Sequence, residues 1–263
     1  MTGTHPYKAA LTETVAAARD AGALLKALLS GQDSLAPSSK RAGDFVSQAD
    51  LRAEALLRHR LCGPDDHWLG EETGSATKGA QRVWIVDPLD GTTNYLRGIG
   101  HWAVSIALEE AGTRVLGVVY DPTRDECFCA LAGGGAWLNG QSIAPAPTPL
   151  MRDALFGTGI PFGTMAYIDD HAADIARLMP HCAGVRRMGA AALDLAYVAC
   201  GRLDGFWERR LQPWDIAAGL VLLGEAGAVV DGLVPGTRPE DTGTVLTATP
   251  ALFDAIAQVL RAP

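Results

Sequence analysis

The stretch "RVWIVDPLDGTTNY" (residues 82–95) places the tightest restriction on how this chain can fold. Its first part, Arg82 to Val86, reads as a buried β-strand, because apolar and β-branched residues dominate it. The strand runs straight into two carboxylates three residues apart, Asp87 and Asp90, and a turn on Gly91 leads into the hydroxyl residues Thr92 and Thr93. Carboxylates at the edge of an apolar sheet repel one another and lose hydration. Either this strand end opens to water as a solvated turn, or the fold brings positive charge to it.

The surrounding pattern predicts layers. Val15, Leu24, Leu25 and Leu28 recur near helical spacing in the first 30 residues, and Gly31 ends that helix. After the polar loop "GQDSLAPSSKRAGD", the stretch "VSQADLRAEALLRHRL" opens a second helix. Ser47 and Asp50 stand there like a capping pair, with Val46 and Leu51 placed to staple the entry. From residue 83 the period becomes that of strands: "RVWIVD", "WAVSIALEE", "VLGVVYDP" and "ECFCALAG", followed by a hairpin signal at Asn139-Gly140. "PAPTP" (145–149) reads as the boundary between an N-terminal α+β half (1–145) and a C-terminal α/β half (150–263) of a single unit. Beyond it come a strand near "ALFGTG", a helix near 166–179, the helix "AALDLAYVACG" and a strand in "LDGFWER". The helix "PWDIAAGLVLLGEAG" starts on proline and stops on glycine. Two strands, "AVVDG" and "TVLTATP", and the helix "ALFDAIAQVL" close the chain. Strands cluster centrally with helices around them and little strict βαβ alternation, which predicts an α+β or layered α/β sandwich.

Charge and cysteine usage narrow the function. A net charge of −8 over 263 residues argues against an electrostatic nucleic-acid binder and suits a protein that collects cations. Cys62, Cys127, Cys129, Cys182 and Cys200 are odd in number and scattered, which points to a reduced, cytoplasmic protein. Cys127 and Cys129 flank Phe128 as strand side chains do, which favours packing over a metal pair. The N-terminus lacks a signal-peptide core, and no apolar run reaches the roughly 18 residues of a membrane span.

Glu71, Glu72, Asp87, Asp90, Asp215 and Asp50 all sit at element ends. Singly, an acid near a helix N-terminus caps it and complements its dipole. Asp87 and Asp90 together call for more, because both follow a run that should be buried. A calcium loop fails, since the twelfth position counted from Asp87 is Gly98 rather than glutamate. The "GGG" at 133–135 lacks the Lys-Ser/Thr of a phosphate loop and reads as a turn. A hard divalent cation is the better account. Glu71, Asp87, Asp90 and Asp215 carry four negative charges, which two or three Mg²⁺ would offset. Paired metals can activate water and stabilise the leaving oxygen of a phosphate ester. Gly91 allows close backbone approach, the Gly91 and Thr92 amides can face phosphate oxygens, and the Thr92 hydroxyl can hold the attacking water.

"GEE" (70–72), "WIVDPLDGTTNY" (84–95) and "PWDIAAG" (213–219), in this order, resemble the inositol monophosphatase family. "GDFVSQADLRAE" (43–54), "LNG" (138–140) and "RRMGAAALDLAYVACGRLDGFWE" (186–208) extend the resemblance, to bacterial members, over nearly the whole chain. The resemblance implies a layered αβαβα sandwich, a homodimer, Mg²⁺ dependence and lithium sensitivity. It implies that Glu71 and Asp87, with the Leu89 carbonyl, bind a first metal, and that Asp87, Asp90 and Asp215 bind a second. Glu71 would help to hold a weaker third. Thr92 paired with Asp50 would orient the nucleophilic water, so that Glu71, Thr92 and Asp50 carry the catalysis. The Gly91 and Thr92 amides would take the phosphate. Glu208, Asp90 and the backbone from Gly189 to Ala191 would contact substrate hydroxyls. Ala190 departs from the family, which has a hydroxyl residue there, and Lys40 receives no role.

"DGTTNY" is like the inositol monophosphatases, so the expected substrate is myo-inositol 1-phosphate, a small phosphorylated polyol. Histidinol phosphate, fructose 1,6-bisphosphate and adenosine 3′,5′-bisphosphate are the alternatives within the family. Glu208 favours a polyol, because a carboxylate accepts hydrogen bonds from hydroxyls; the competing reading makes "FWERR" an exposed edge with a surface glutamate. A role as a binding partner in a transcription complex is the non-enzymatic alternative.

Overall fold

Side-chain alternation along the central strands decides the layers. The computed structural model describes residues 5–30, 38–41, 44–46, 48–74, 80–160, 165 and 167–262, with backbone alone at 38–41 and 44–46. The expected cap Ser47 and loop residues 31–37, 42 and 43 lie outside the described residues. The chain opens with α1 (Lys8–Ser30), the small hairpin β1 (Ser38–Arg41) and β2 (Asp44–Val46), and α2 (Gln48–Leu61). A seven-stranded sheet then forms in chain order: β3 (His67–Gly70), β4 (Arg82–Asp90), β5 (Ala103–Glu110), β6 (Thr113–Asp121), β7 (Glu126–Leu131), β8 (Gly135–Leu138) and β9 (Gln141–Ser142). The short helix α3 (Thr92–Leu96) interrupts it between β4 and β5.

Residues 143–154 lead into a five-stranded sheet, built from β10 (Leu155–Thr158), β11 (Gly184–Arg186), β12 (Gly205–Glu208), β13 (Val229–Asp231) and β14 (Val245–Ala248). Its strand order is β11-β10-β12-β14-β13, so β12 is central. The connecting helices are α4 (Ile168–Leu178), α5 (Ala191–Ala199), α6 (Pro213–Ala226) and α7 (Pro239–Thr242), and α8 (Phe253–Leu260) closes the chain.

Trp84, Val86, Val104, Ile106, Leu116 and Val118 face α1 and α2, whereas Val83, Ile85, Ala107, Val119, Phe128 and Ala130 face α5 and α6. The smaller sheet turns Phe206 and Val245 toward α5 and α6, and Phe156, Trp207 and Leu246 outward under α4 and α8. The order of layers is therefore αβαβα, the sandwich the resemblance implies. No described helix is long and apolar enough to cross a membrane.

Local chemistry explains the turns. Asn139 and Gly140 take φ of 48° and 82°, the left-handed pair of a type I′ hairpin between β8 and β9. The "GGG" stretch is a turn whose Gly133 and Gly135 amides donate to the Glu225 carboxylate at 2.7 and 2.8 Å. Cys127 and Cys129 lie on β7, where burial raises their thiols to about 12 and about 11, so both are neutral packing groups.

Three sequence expectations need correction. β3 was not foreseen as a strand; four residues with one half-buried face give too short a run, and its pairing with β4 is parallel and non-local. Leu51 is 47% exposed and does not staple α2, whose buried stripe runs through Ala49, Ala53 and Leu57. The alternative that makes "FWERR" an exposed edge is overturned: Glu208 is 8% exposed on the central strand of its sheet.

The position of α6 rests on a close approach. A Cβ on Gly117 of β6 would stand 2.6 Å from the Ala218 carbonyl oxygen of α6, nearer than real contacts allow. Strand propensity favours alanine over glycine by roughly 0.5–1 kcal/mol; overpacking costs about 1–3 kcal/mol, and here overpacking wins. Gly117→Ala should therefore lower unfolding free energy, read from the urea midpoint, and an unchanged or higher midpoint would refute the contact.

Candidate active site

Residues three apart on a regular strand point to opposite faces. Asp87 and Asp90 escape that rule through a bulge. Asp87 pairs with Ser105 and Asp90 with Ala103, so three steps on β4 match two on β5. The extra residue brings both carboxylates to the face that looks toward α6. Pro88 lies inside this irregularity, where a missing ladder donor is tolerated. Asp87 Oδ1 accepts the Leu89 amide at 2.9 Å, and the Thr92 hydroxyl donates to the Leu89 carbonyl at 3.0 Å. Gly91 has φ 90°, and a Cβ there would approach the His101 carbonyl to 3.0 Å. It reverses the chain so that Thr92 opens α3.

The other acids arrive from different layers. The Glu71 amide donates to the Val86 carbonyl at 3.1 Å, which continues the β3–β4 pairing and sets Glu71 beside Asp87, close enough for the two carboxyls to affect each other's ionisation. Asp215 occupies the first turn of α6 behind Pro213, and its Oδ2 accepts the Gln212 amide at 2.6 Å. Asp90 Oδ2 accepts the Ala192 amide at 2.7 Å and so caps α5, whose own cap position, Ala190, has no side-chain acceptor. The Ala191 amide serves the same carboxylate, whereas Gly189 lies beside Asn94 and Arg187. Asp50, 1% exposed in the first turn of α2, lies near enough to Glu71 to disfavour its ionisation. Glu208 enters from β12 and feels Asp215, Asp194 and Asp90.

Supporting groups went unassigned at the level of sequence. Asn94 Nδ2 donates to the His101 carbonyl at 2.7 Å and the Met188 carbonyl at 2.8 Å, stitching the β4–α3 turn to the segment before α5. Its place inside "DGTTNY" was the available signal. His101 Nε2 and Asp194 Oδ1 meet at 2.9 Å in a buried pair close to Asp90. A lone aspartate in the apolar helix "AALDLAY" marks Asp194; nothing in the sequence marks its partner.

Burial and mutual repulsion dominate the electrostatics. Burial, then Asp215 and Asp50, push Glu71 up to about 8. Burial, Glu71, Asp90 and Asp215 hold Asp87 well above the carboxylate range. Burial raises Asp90 to about 6 despite the Ala192 amide, and burial with Asp90 raises Asp215 to about 7. Glu208 is raised by burial and by Asp215, with Arg187 opposing. Among the described residues no three acidic, histidine or cysteine side chains close into a ready-made cage. The donor set is nevertheless all oxygen and all acidic, which fits Mg²⁺: that ion takes one or two carboxylates and fills its shell with water and substrate phosphate. In the metal-free fold these acids keep protons that the unfolded chain has lost. Their contribution to stability is complete below about pH 4, and it drains away as pH rises through about 6 to about 8. Chelator-treated protein should therefore lose Tm steadily from about pH 5 to about pH 8.5, and Mg²⁺ should flatten the decline. A flat profile in chelator would show that the acids ionise without mutual penalty.

The model of the inositol monophosphatase family matches residues 8–262. The chain is 44% identical to an inositol-1-monophosphatase of Rhizobium meliloti over 230 residues, 86% of each chain. It is 40% identical to the Nus factor SuhB of Salmonella typhimurium over 260 residues, 98% of this chain and 96% of that one. The crystal structure of the extragenic suppressor protein suhB from Bartonella henselae superposes with a TM-score of 0.92 at 37% identity, covering 97% of this chain and 99% of that one. The match runs through both sheets and every element that carries an acid of the site: the chain belongs to the inositol monophosphatase family.

Proposed function

We propose that the protein is a Mg²⁺-dependent phosphomonoester hydrolase whose substrate is myo-inositol 1-phosphate. The observation that supports this most is the meeting of Glu71, Asp87, Asp90 and Asp215, drawn from the turn after β3, from β4 and from α6, with their proton affinities raised by burial and by neighbouring carboxylates. These carboxylates and the Leu89 carbonyl would hold two to three Mg²⁺. When bound, such ions lower the pKa of water and neutralise charge on the phosphate and the leaving oxygen. The residues supply the rest. The Gly91 and Thr92 amides, at the open end of α3, hold phosphate oxygens. The Thr92 hydroxyl, which donates to the Leu89 carbonyl in the metal-free fold, would turn to Asp50 and orient a water for attack on phosphorus. As the water oxygen bonds to phosphorus, its proton passes through Thr92 to Asp50, the ester P–O bond breaks, and the departing alkoxide takes a proton from solvent water.

Glu208 and the backbone around Gly189 to Ala191 face the alcohol part. With Asp90 and Asp215 neutralised, the push that keeps Glu208 protonated weakens, and its carboxylate accepts from polyol hydroxyls. Release of phosphate from myo-inositol 1-phosphate, histidinol phosphate, fructose 1,6-bisphosphate and adenosine 3′,5′-bisphosphate tests the assignment. A clear preference for any of the last three would replace it.

A second reading comes from the relatives that bear the name Nus factor: the chain then serves as a partner in a transcription assembly. Asp90→Asn separates the two. It removes charge with little change of volume and should abolish phosphate release while the fold survives by circular dichroism. A transcriptional role would outlast the substitution. Full turnover of the wild-type protein in excess chelator would end the metal reading.

Glu208→Gln keeps the shape and weakens the acceptor. A hydrogen bond to a charged group is worth about 1.5–3 kcal/mol. We expect kcat/KM for myo-inositol 1-phosphate to fall roughly tenfold or more, and an aryl phosphate to be hydrolysed as before. Equal losses on both substrates would place Glu208 in the support of the fold instead.

A further inference from the structure

Asp50 and Glu54 stand one turn apart on α2, and each is 1% exposed. Asp50 looks toward the acid cluster. Glu54 looks at the turn that carries Glu71. Its Oε1 accepts the Trp68 indole N–H at 3.1 Å, the Thr73 amide at 3.2 Å and the Thr73 hydroxyl. Its Oε2 accepts the Glu72 amide at 2.9 Å. Trp68 precedes Glu71 on β3, and Glu72 and Thr73 follow it, so one carboxylate grips the chain on both sides of that residue. Gly70 makes the approach possible: a Cβ there would stand 2.3 Å from Glu54 Oε1.

The partners are all donors, and the three N–H groups among them cannot act otherwise. Both oxygens of the gripping group must therefore accept. A glutamine would turn its amide N–H₂ either on the Glu72 amide or on the Trp68–Thr73 donors, and the turn would have to move. Glu71 is the residue between these anchors, and its carboxyl meets Asp87 only while the turn holds its shape.

We infer that Glu54 is a positioning residue for Glu71: by accepting hydrogen bonds on both sides of it, Glu54 fixes the angle at which Glu71 meets Asp87. The inference rests on the reading of Glu71 as a metal ligand. Outer partners of metal ligands typically govern about 10–100-fold in metal affinity, so the effect belongs in metal binding and leaves the chemical step alone.

The test compares the wild-type protein, Glu54→Gln and Thr73→Val. The last removes one of the donors without changing charge. The readouts are the Mg²⁺ concentration for half-maximal phosphate release, kcat at saturating Mg²⁺, and Mn²⁺ affinity by calorimetry without substrate. Glu54→Gln should raise the half-maximal Mg²⁺ and weaken Mn²⁺ binding by about 10–100-fold, with kcat largely restored at high Mg²⁺. Thr73→Val should move both in the same direction by roughly threefold to tenfold, as one lost hydrogen bond implies. Unchanged metal constants with a lowered Tm would make Glu54 a purely structural residue and overturn the inference. So would a loss of kcat that no Mg²⁺ concentration repairs. If Glu54→Gln fails to fold, unchanged constants in Thr73→Val overturn it. A wild-type protein that binds no Mn²⁺ and releases phosphate in chelator would sink the metal reading itself, and the role of Glu54 with it.

Discussion

Like charges driven together in a poorly hydrated place are the constraint on which this fold turns. Burial raises the proton affinity of Glu71, Asp87, Asp90 and Asp215, and neighbouring carboxylates add to it: Asp215 and Asp50 at Glu71, Glu71, Asp90 and Asp215 at Asp87, Asp194 at Asp90, and Asp90 at Asp215. Nothing in a sheet sandwich produces such a cluster by default. It takes a bulge to bring Asp87 and Asp90 to one face, a parallel strand to deliver Glu71, and a small residue at 117 that lets α6 lie close enough to present Asp215. Each device sacrifices regularity or side-chain bulk, and each serves the same point in space.

The acids also hold the scaffold that gathers them. Asp215 caps α6 through the Gln212 amide, and Asp90 caps α5 through the Ala192 amide. With α3 opening behind Gly91, helix N-termini converge on the cluster. Their partial positive charge moderates the repulsion. Capping and metal binding are therefore not rivals for these residues: one oxygen can anchor a helix while the remaining lone pairs face the site.

The lines of the fold that are local in chemistry were legible in the sequence. The β8–β9 hairpin follows from Asn139-Gly140, α6 from its proline and glycine ends, and the sandwich from the switch of period at residue 83. The family resemblance carried the layer order. What escaped depends on distant partners. β3 exists because β4 lies beside it. The bulge at Pro88 is set by what pairs across from it on β5. The burial of Glu208 follows from the central place of β12, which strand propensity cannot report. Within the site, the acids were readable because carboxylates at element ends are conspicuous. Glu54 and His101 were not, since each acquires meaning only from the groups that fold against it.

The place of the cluster between the two sheets has a consequence for refolding. Glu71, Asp87 and Asp90 come from the larger sheet, whereas Glu208 belongs to the smaller one and Asp215 to a helix wedged between them. Neither sheet can assemble the constellation alone, and the connection through residues 143–154 fixes no more than their tether. Regain of activity after denaturation would then time the docking of the sheets, later than the return of circular dichroism, which registers each sheet as it forms. The acid cluster would thus report when the two sheets have come together.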